Sequence, residues 1–154
     1  MLLGSLACLH FAAKAQNTLR YINADLNRTD GNKPAVFTQC VGAGRANEGL
    51  RADWQQQLAQ LQKDVGFKYI RFHGLLNDDM GVYSIDKTGK RGYNWQYIDK
   101  LYDFLLSVHI RPFVELSFMP SAMASGAKTV FWWKGNVTKP RSYDEWDELI
   151  RRLV

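Results

Sequence analysis

Cysteine is scarce in this sequence, since 154 residues contain only Cys8 and Cys40. Two thiols cannot form the disulfide framework that holds many small secreted domains together. Cys8 also falls in a segment that we expect to be removed, so the cysteines indicate neither an oxidising nor a reducing compartment. The sequence therefore excludes a disulfide scaffold, and its stability must come from a hydrophobic core.

A block of basic residues is also missing, although the formal net charge is +5. Lysine and arginine are scattered along the chain, which is typical of a solvated surface rather than of a nucleic-acid-binding arm. The apolar segment at residues 1–15 is too short to span a bilayer. We therefore predict neither a nucleic-acid partner nor a membrane protein.

No linker, internal repeat or low-complexity segment divides the chain, so we predict one core. Residues 1–15 resemble a secretory signal peptide, because an apolar run leads to Ala13-Lys14-Ala15, a fitting cleavage site. The usual basic start is missing, and His10 interrupts the run. We expect a signal peptide at 1–15, a polar lead-in at 16–34 and a domain at 35–154. This organisation predicts a secreted or periplasmic protein.

Hydrophobic periodicity predicts three strands, each followed by an amphipathic helix. The predicted strands cover residues 35–41, 67–73 and 111–118. The β-α-β-α-β-α order predicts a parallel sheet with right-handed crossovers. A closed barrel of such units typically takes about 250 residues, so we expect this α/β chain to be a fragment.

Side chains at the helix ends predict where the helices begin and end. Asp53 with Gln56, and Ser142 with Glu145, fit capping boxes, and Gly66 fits a helix stop. Asn94 is the predicted cap of the second helix, and His109 is expected to close it. The glycine-rich residues 42–49 are predicted to be a loop. They match neither a Walker loop nor GxGxxG, which argues against phosphate binding.

The strand at 67–73 ends in polar residues. Tyr69, Arg71 and His73 share one face, whereas Ile70 and Phe72 share the other. A histidine at the C-terminal end of a barrel strand is placed to bind a ligand. The alternative is a hydrogen-bonded histidine in the core.

Charged residues near the strand ends allow more than one interpretation. We predict that Arg71 pairs with Glu115, because an unpaired buried charge would be costly. The alternative role for Glu115 is that of a catalytic carboxylate. Asp78 and Asp79 lack the spacing of a zinc or calcium site, and solvation of a loop explains them better.

Residues 119–141 form a long predicted loop that contains Phe131-Trp132-Trp133. Long loops without regular structure are usually functional or disordered, and three adjacent aromatic residues argue against disorder. Tryptophan often stacks on flat apolar faces, including those of sugars. The alternative is that these rings pack in the core or anchor the loop.

Three stretches of the sequence together resemble glycoside hydrolase family thirty-nine, which contains β-xylosidases and their α-L-iduronidase relatives. The resemblance covers residues 34–154, and the β-xylosidases are the more similar group. The matching stretches are VGAGRA with LRADW (41–46 and 50–54), RFHGLLNDDM (71–80), and PFVELSFMP with TVFWWKGN (112–120 and 129–136).

The resemblance implies the N-terminal portion, about three βα units, of a (β/α)₈ TIM barrel, and a retaining mechanism that uses two glutamates. The family's acid/base glutamate lies in an Asn-Glu-Pro motif, which this sequence lacks, and its nucleophile lies further on. The one Asn-Glu pair, Asn47-Glu48, is in the first βα loop. We therefore expect both catalytic glutamates beyond residue 154 and no activity from these residues alone.

The resemblance also implies roles in substrate binding. His73 matches a histidine that contacts the sugar, and Phe118 matches an aromatic residue that lines the pocket. Trp132 or Trp133 could form a sugar-stacking wall. The expected partner is a xyloside, with no cofactor and no metal. The alternatives are an α-L-iduronidase-like enzyme, a non-catalytic carbohydrate-binding remnant, or a βα domain that binds a polyanion; the oligomeric state is left open.

Overall fold

The computed structural model describes residues 19–28, 31–32 and 34–154. The chain divides into two compact units, Met1–Lys33 and Pro34–Val154. In the first unit the described residues are exposed, and the Asp25 carboxylate accepts a hydrogen bond from the Asn27 N–H at 3.0 Å. The predicted signal peptide at 1–15 lies outside the described residues.

The second unit has a mixed α/β structure. Its strands are β1 Cys40–Arg45, β2 Tyr69–His73, β3 Tyr83–Ile85, β4 Arg91–Tyr93, β5 Arg111–Val114, β6 Thr129–Val130 and β7 Gly135–Asn136. Its α-helices are α1 Ala52–Val65, α2 Gln96–Ser107 and α3 Tyr143–Leu153. Short 3₁₀ helices span Ala35–Thr38, Ala46–Leu50 and Asp78–Met80. No helix in this described part is long and apolar enough to cross a membrane.

The central sheet contains β1, β2 and β5 in the order β1-β2-β5, and both pairs are parallel. This arrangement confirms the parallel sheet that the repeated βα pattern predicts. The C-terminal ends of all three strands therefore lie at one edge of the sheet. Because parallel strands need crossovers, α1 and α2 connect them on one face.

The core lies between the sheet and the helices. Ile70 and Phe72 on β2 are at most 2% exposed, whereas Tyr69 and Arg71 on the opposite face are exposed, which confirms the predicted alternation. The fully or nearly buried residues that the helices contribute to the core are Leu58, Ile98, Leu101, Leu105 and Leu149. Burial of each such side chain stabilises the fold by about 1.5–3 kcal/mol.

The first strand does not lie where the sequence predicts it. Residues 35–38 form a 3₁₀ turn in which Val36 is 74% exposed, and the strand begins at Cys40, opposite Tyr69. A parallel strand is defined by its backbone hydrogen bonds to the neighbouring strand. Small residues can therefore belong to such a strand even though their own strand propensity is weak. The predicted strand at 35–41 is therefore correct only at Cys40 and Val41, and the predicted loop is wrong for residues 42–45, which belong to β1.

The predicted start of α1 is also wrong. The helix begins at Ala52 and has no side-chain cap, because the Asp53 carboxylate instead pairs with Arg51 at 2.6 Å. The predicted stop is confirmed, since Gly66 adopts the left-handed conformation with φ of 73°. Asn94 accepts a hydrogen bond from the Gln96 N–H at 3.1 Å, although it lies one residue before the N-cap of α2. α2 ends at Ser107, so the predicted closing residue His109 lies beyond it.

The predicted capping box at α3 is half confirmed. The Ser142 hydroxyl accepts a hydrogen bond from the Glu145 N–H at 3.3 Å. The Glu145 side chain does not return to Ser142, because it binds Arg91 at 2.5 Å and the Tyr83 hydroxyl at 3.2 Å. Burial and the Glu145 carboxylate raise the pKa of Tyr83. Glu145 thus ties α3 to the β3–β4 hairpin.

The structure contains two hairpins that the sequence analysis missed. β3 and β4 form one, closed by a turn in which the Asp86 carboxylate accepts the Thr88 and Lys90 N–H groups. β6 and β7 form the other, within the segment predicted as a loop at 119–141. The third predicted strand is shorter than expected, because β5 ends at Val114 where its pairing with β2 ends.

Candidate functional site

The candidate site lies at the C-terminal edge of the parallel sheet. Arg45 at the end of β1 lies opposite His73 at the end of β2. The segment after β5 crosses to the same edge, because the Ser117 hydroxyl accepts the Gly74 N–H at 3.2 Å and the Ser117 carbonyl accepts the Leu76 N–H at 3.0 Å. These bonds bring the next residue, Phe118, beside His73.

Four rings meet at this edge, and we call them the aromatic cluster: His73, Phe118, Phe131 and Trp133. The His73 ring stacks on Phe131 with centroids 5.7 Å apart and on Trp133 at 5.6 Å. Phe118 meets His73 edge to face at 6.0 Å and Trp133 at 5.2 Å. His73 is therefore partly buried among three rings from two segments, which fixes the position of its imidazole.

The β6–β7 hairpin supplies two of these rings through a tight turn. Phe131 and Lys134 have φ near 60°, and the Lys134 N–H donates to the Phe131 carbonyl at 3.2 Å. Gly135 then leaves room for the rings, since a Cβ there would lie 2.7 Å from Trp133 and 3.0 Å from Phe118. The hairpin can close over His73 only with a very small residue at this position.

The structure separates the two tryptophans that the sequence analysis offered as a sugar-stacking wall. Trp133 lies in the aromatic cluster, whereas Trp132 is 82% exposed and outside it. The Arg45 guanidinium lies 5.1 Å from the centroid of Trp132 and 5.3 Å from that of Trp133. A cation over an aromatic face is attractive by about 0.5–2 kcal/mol. Arg45 therefore supports both indoles from the β1 side.

A set of polar contacts holds Arg45 in this position. Its side chain is 13% exposed and pairs with Asp79, and its Nε lies 3.6 Å from Glu48. Asn77 donates to the Asp79 carboxylate at 2.8 Å, and Asn47 donates to the Asp79 carbonyl at 3.1 Å. The prediction that Asp79 merely solvates a loop is wrong, because it is the counter-ion of Arg45.

Arg71 and Glu115 form the pair that the sequence predicts, with Arg71 Nη2 and Glu115 Oε1 2.9 Å apart. The pair lies on the sheet face opposite α1 and α2, the face that also carries His73. The second carboxylate oxygen, Oε2, is buried and has no hydrogen-bond partner among the described residues. No described group of three His, Cys, Asp or Glu side chains comes together to hold a metal ion.

Sequence reasoning identified three members of the aromatic cluster and missed Phe131 as a site residue. Its position beside Trp132 and Trp133 was the available signal. Arg45 and Gly135 were also missed, since each acts through contacts with residues distant in sequence. The arrangement offers one imidazole for hydrogen bonding, flanked by apolar ring surface. Such surfaces suit a ligand with both hydroxyl groups and C–H faces.

Comparisons with known proteins identify the family to which the chain belongs. The sequence profile of glycosyl hydrolases family 39 matches residues 20–154. The chain is 50% identical over 118 residues to a beta-xylosidase of Caldicellulosiruptor saccharolyticus, covering 77% of this chain and 24% of that protein. It is 49% identical over 118 residues to a beta-xylosidase of Geobacillus stearothermophilus, covering 75% and 23%. The chain thus spans about a quarter of these relatives.

Solved structures show the same similarity. A monomeric beta-xylosidase from Caulobacter crescentus CB15 matches with a TM-score of 0.74 and 38% identity, over 83% of this chain and 26% of that one. The GH39 enzyme from Xanthomonas axonopodis pv. citri matches with a TM-score of 0.71 and 40% identity, over 75% and 22%. Because the family profile covers most of the sequence and these similarities support it, the chain belongs to glycosyl hydrolases family 39.

Proposed function

We propose that this chain is part of a retaining, exo-acting β-xylosidase, to which it contributes the first βα units of a (β/α)₈ barrel and one wall of the sugar site. Two beta-xylosidases at 49–50% identity support the reaction class. The parallel sheet, with α1 and α2 on one face and Arg71 and His73 on the other, supports the barrel. The observation that carries the proposal is the position of His73, at the C-terminal end of β2 among three rings.

In this proposal His73 donates or accepts a hydrogen bond at a ring hydroxyl of the sugar. Phe118, Phe131 and Trp133 hold the imidazole in place and offer apolar surface to the C–H faces of the sugar. They also keep water from one side of the site, which strengthens the hydrogen bond. This chain thereby binds and orients the substrate.

The chemistry itself requires two carboxylates placed on either side of the glycosidic bond. One attacks the anomeric carbon to form a glycosyl-enzyme, while the other protonates the leaving oxygen and later activates water. We propose that both are glutamates in the part of the relatives that this chain does not span. The chain alone should then bind a sugar poorly and hydrolyse no glycoside.

The test compares this 154-residue chain with the protein encoded when the reading frame is extended to its next stop codon, here called the extended protein. Hydrolysis of an aryl β-xyloside by the extended protein alone supports the proposal. Hydrolysis by the short chain would contradict it and make Glu115 and Glu48 the first residues to mutate. Preference for an aryl α-L-iduronide would favour the α-L-iduronidase-like alternative instead, and xylose binding without hydrolysis would favour the carbohydrate-binding remnant.

His73→Ala in the extended protein tests the role of the histidine. Loss of a hydrogen bond worth about 1–3 kcal/mol lowers kcat/KM for the aryl xyloside by roughly tenfold to a hundredfold. The matched control is His109→Asn, because His109 is exposed and precedes β5 at the opposite edge of the sheet. If kcat/KM fell no more in His73→Ala than in the control, His73 would not be a substrate-binding residue.

We further propose that the protein is secreted or periplasmic, on the basis of the segment at 1–15. N-terminal sequencing of protein recovered outside the cytoplasm checks this proposal. A mature chain that begins at Gln16 supports it, and an uncleaved intracellular protein contradicts it.

A further inference from the structure

A cavity of about 810 Å³ lies at the start of α2, and we call it the aromatic groove. Its volume lies in the range of small-molecule sites. Tyr93, Trp95 and Tyr97 supply its rings. The polar side chains of its lining are Asn94, Gln96, Asp99, Lys100 and Asp103. The groove shares no lining residue with the aromatic cluster around His73, so it is a separate surface.

Contacts with the rest of the fold hold the first two rings in place. The Tyr93 ring meets Tyr83 edge to face with centroids 5.6 Å apart, and the Arg152 guanidinium of α3 lies 4.6 Å from the Tyr93 centroid. The Trp95 ring is nearly parallel to Tyr93, at an angle of 15° and with centroids 6.4 Å apart. Both residues are partly buried against the core, so their ring surface is in position before any ligand binds.

The third ring, Tyr97, is the most exposed of the three. It lies in the first turn of α2 and is 43% exposed, whereas its helix neighbours Ile98 and Leu101 are at most 3% exposed. Beside the two fixed rings, Tyr97 extends the apolar surface of the groove. An exposed apolar patch with a polar rim is typical of a binding surface.

The polar rim indicates which kind of ligand the groove suits. Asp99 and Asp103 are exposed one turn apart on α2, and neither forms an ion pair with a described residue. Two unpaired carboxylates repel a phosphate or a nucleic acid, and Lys100 beside them disfavours a cation. Carboxylate acceptors and an ammonium donor instead suit hydroxyl groups. A neutral sugar offers hydroxyl groups to the rim and C–H faces to the rings.

The groove remains open when further barrel units are added. α1 contacts α2 through Trp54 and Phe104, whose centroids are 6.4 Å apart, and α3 reaches the groove through Arg152. The two helices that neighbour α2 in the βα order are thus in place. Further units would join at the outer strands of the sheet, β1 and β5. Because α2 runs back from the C-terminal ends of the strands, its first turn lies at the end of the sheet that carries His73.

We infer that the aromatic groove binds a xylan chain outside the candidate site and holds the polymer at the same end of the barrel as His73. The choice of xylan rests on the proposed function, because xylan is the polymer that supplies xylosides to such an enzyme. A xylose residue of the chain stacks on the ring surface. Its hydroxyl groups contact Asp99, Lys100 or Asp103.

The experiment measures binding without hydrolysis, by electrophoresis of the extended protein in native gels that contain soluble xylan. Every protein carries His73→Ala, which weakens binding at the candidate site. Adding Tyr97→Ala removes an exposed ring, and adding Asp103→Ala removes an acceptor. Each should weaken the affinity that the retardation reports, Tyr97→Ala by about tenfold. Tyr143→Ala is the matched control, since Tyr143 is 62% exposed and does not line the groove. It should leave the retardation unchanged.

The outcomes separate this inference from the proposed function. If Tyr97→Ala and Asp103→Ala are retarded as strongly as Tyr143→Ala, the inference is overturned, whereas hydrolysis of an aryl β-xyloside by the extended protein still supports the function. If the extended protein hydrolyses no xyloside, the proposed function fails, and retardation that decreases only in the groove variants still supports the groove. A change from dimer to monomer in Tyr97→Ala, with unchanged retardation, would make the rings a contact between copies of the chain and also overturn the inference.

Discussion

Gly135→Ala should disrupt the aromatic cluster through one added methyl group. An ideal Cβ at this position lies 2.7 and 2.9 Å from two ring carbons of Trp133 and 3.0 Å from Cδ2 of Phe118. Carbon atoms pack at about 3.5–4.0 Å, so the indole must move by roughly 1 Å. Phe118 blocks the movement on one side, and the hairpin backbone limits it on the other.

The cost of this change follows from overpacking. Added methylene groups in a well-packed region destabilise by about 1–3 kcal/mol, which is the expected decrease in the free energy of unfolding of the extended protein. Movement of Trp133 also releases His73, which stacks on it at 5.6 Å. We therefore expect kcat/KM for an aryl xyloside to fall about tenfold, equivalent to about 1.4 kcal/mol.

Gly89→Ala is the comparison that separates destabilisation from damage to the site. Gly89 lies in the turn between β3 and β4 with φ of 83°, and a Cβ there meets nothing within 4 Å. An alanine in this conformation costs about 1–2 kcal/mol without touching the aromatic cluster. Denaturant unfolding should show similar losses for both variants, but only Gly135→Ala should lose activity. Equal activity in the two variants would refute the reasoning.

Three further predictions concern the sheet and its helices. Glu115→Gln in the extended protein should lower stability to denaturant and leave turnover intact, because Glu115 pairs with Arg71; a large loss of turnover with normal stability would make it catalytic. Tyr102→Phe should raise the free energy of unfolding by about 1 kcal/mol, because the buried hydroxyl has no described partner. Burial raises the pKa of Tyr102 from 10.0 to about 12, so wild-type stability should fall more than that of the variant between pH 10 and 12. The isolated chain should self-associate in light scattering, because Phe113 and Leu116 are 53% and 46% exposed; a monomer with a sharp two-state melt would contradict this.

The helices and the order of the sheet could be predicted from the sequence because long periodic patterns determine them. α1 and α2 each bury one apolar stripe, and Gly66 ends the first where a left-handed residue is needed. The two hairpins could not be predicted in this way. Their strands have two or three residues each, too few for a period of two to be recognised.

In the candidate site, too, the sequence predicts some residues and misses others. His73 and Phe118 could be predicted because they follow the ends of predicted strands, which meet at one edge of a parallel sheet. Phe131 enters the site only through the turn that Gly135 and two non-glycine residues with positive φ make possible. Positive φ is uncommon outside glycine, and no local sequence signal predicts it at Phe131.

Arg45 shows how one misplaced strand hides a site residue. A first strand at 35–41 leaves Arg45 in a loop with no defined direction. The observed strand ends at Arg45 itself, opposite His73, so the residue belongs to the same edge as the other site residues. Its register depends on hydrogen bonds between β1 and β2, which bring together residues 28 or 29 positions apart. Hydrophobic patterns report which faces are buried, whereas parallel pairing determines which strand ends align. The residues that depend on pairing are therefore the ones that the sequence alone conceals.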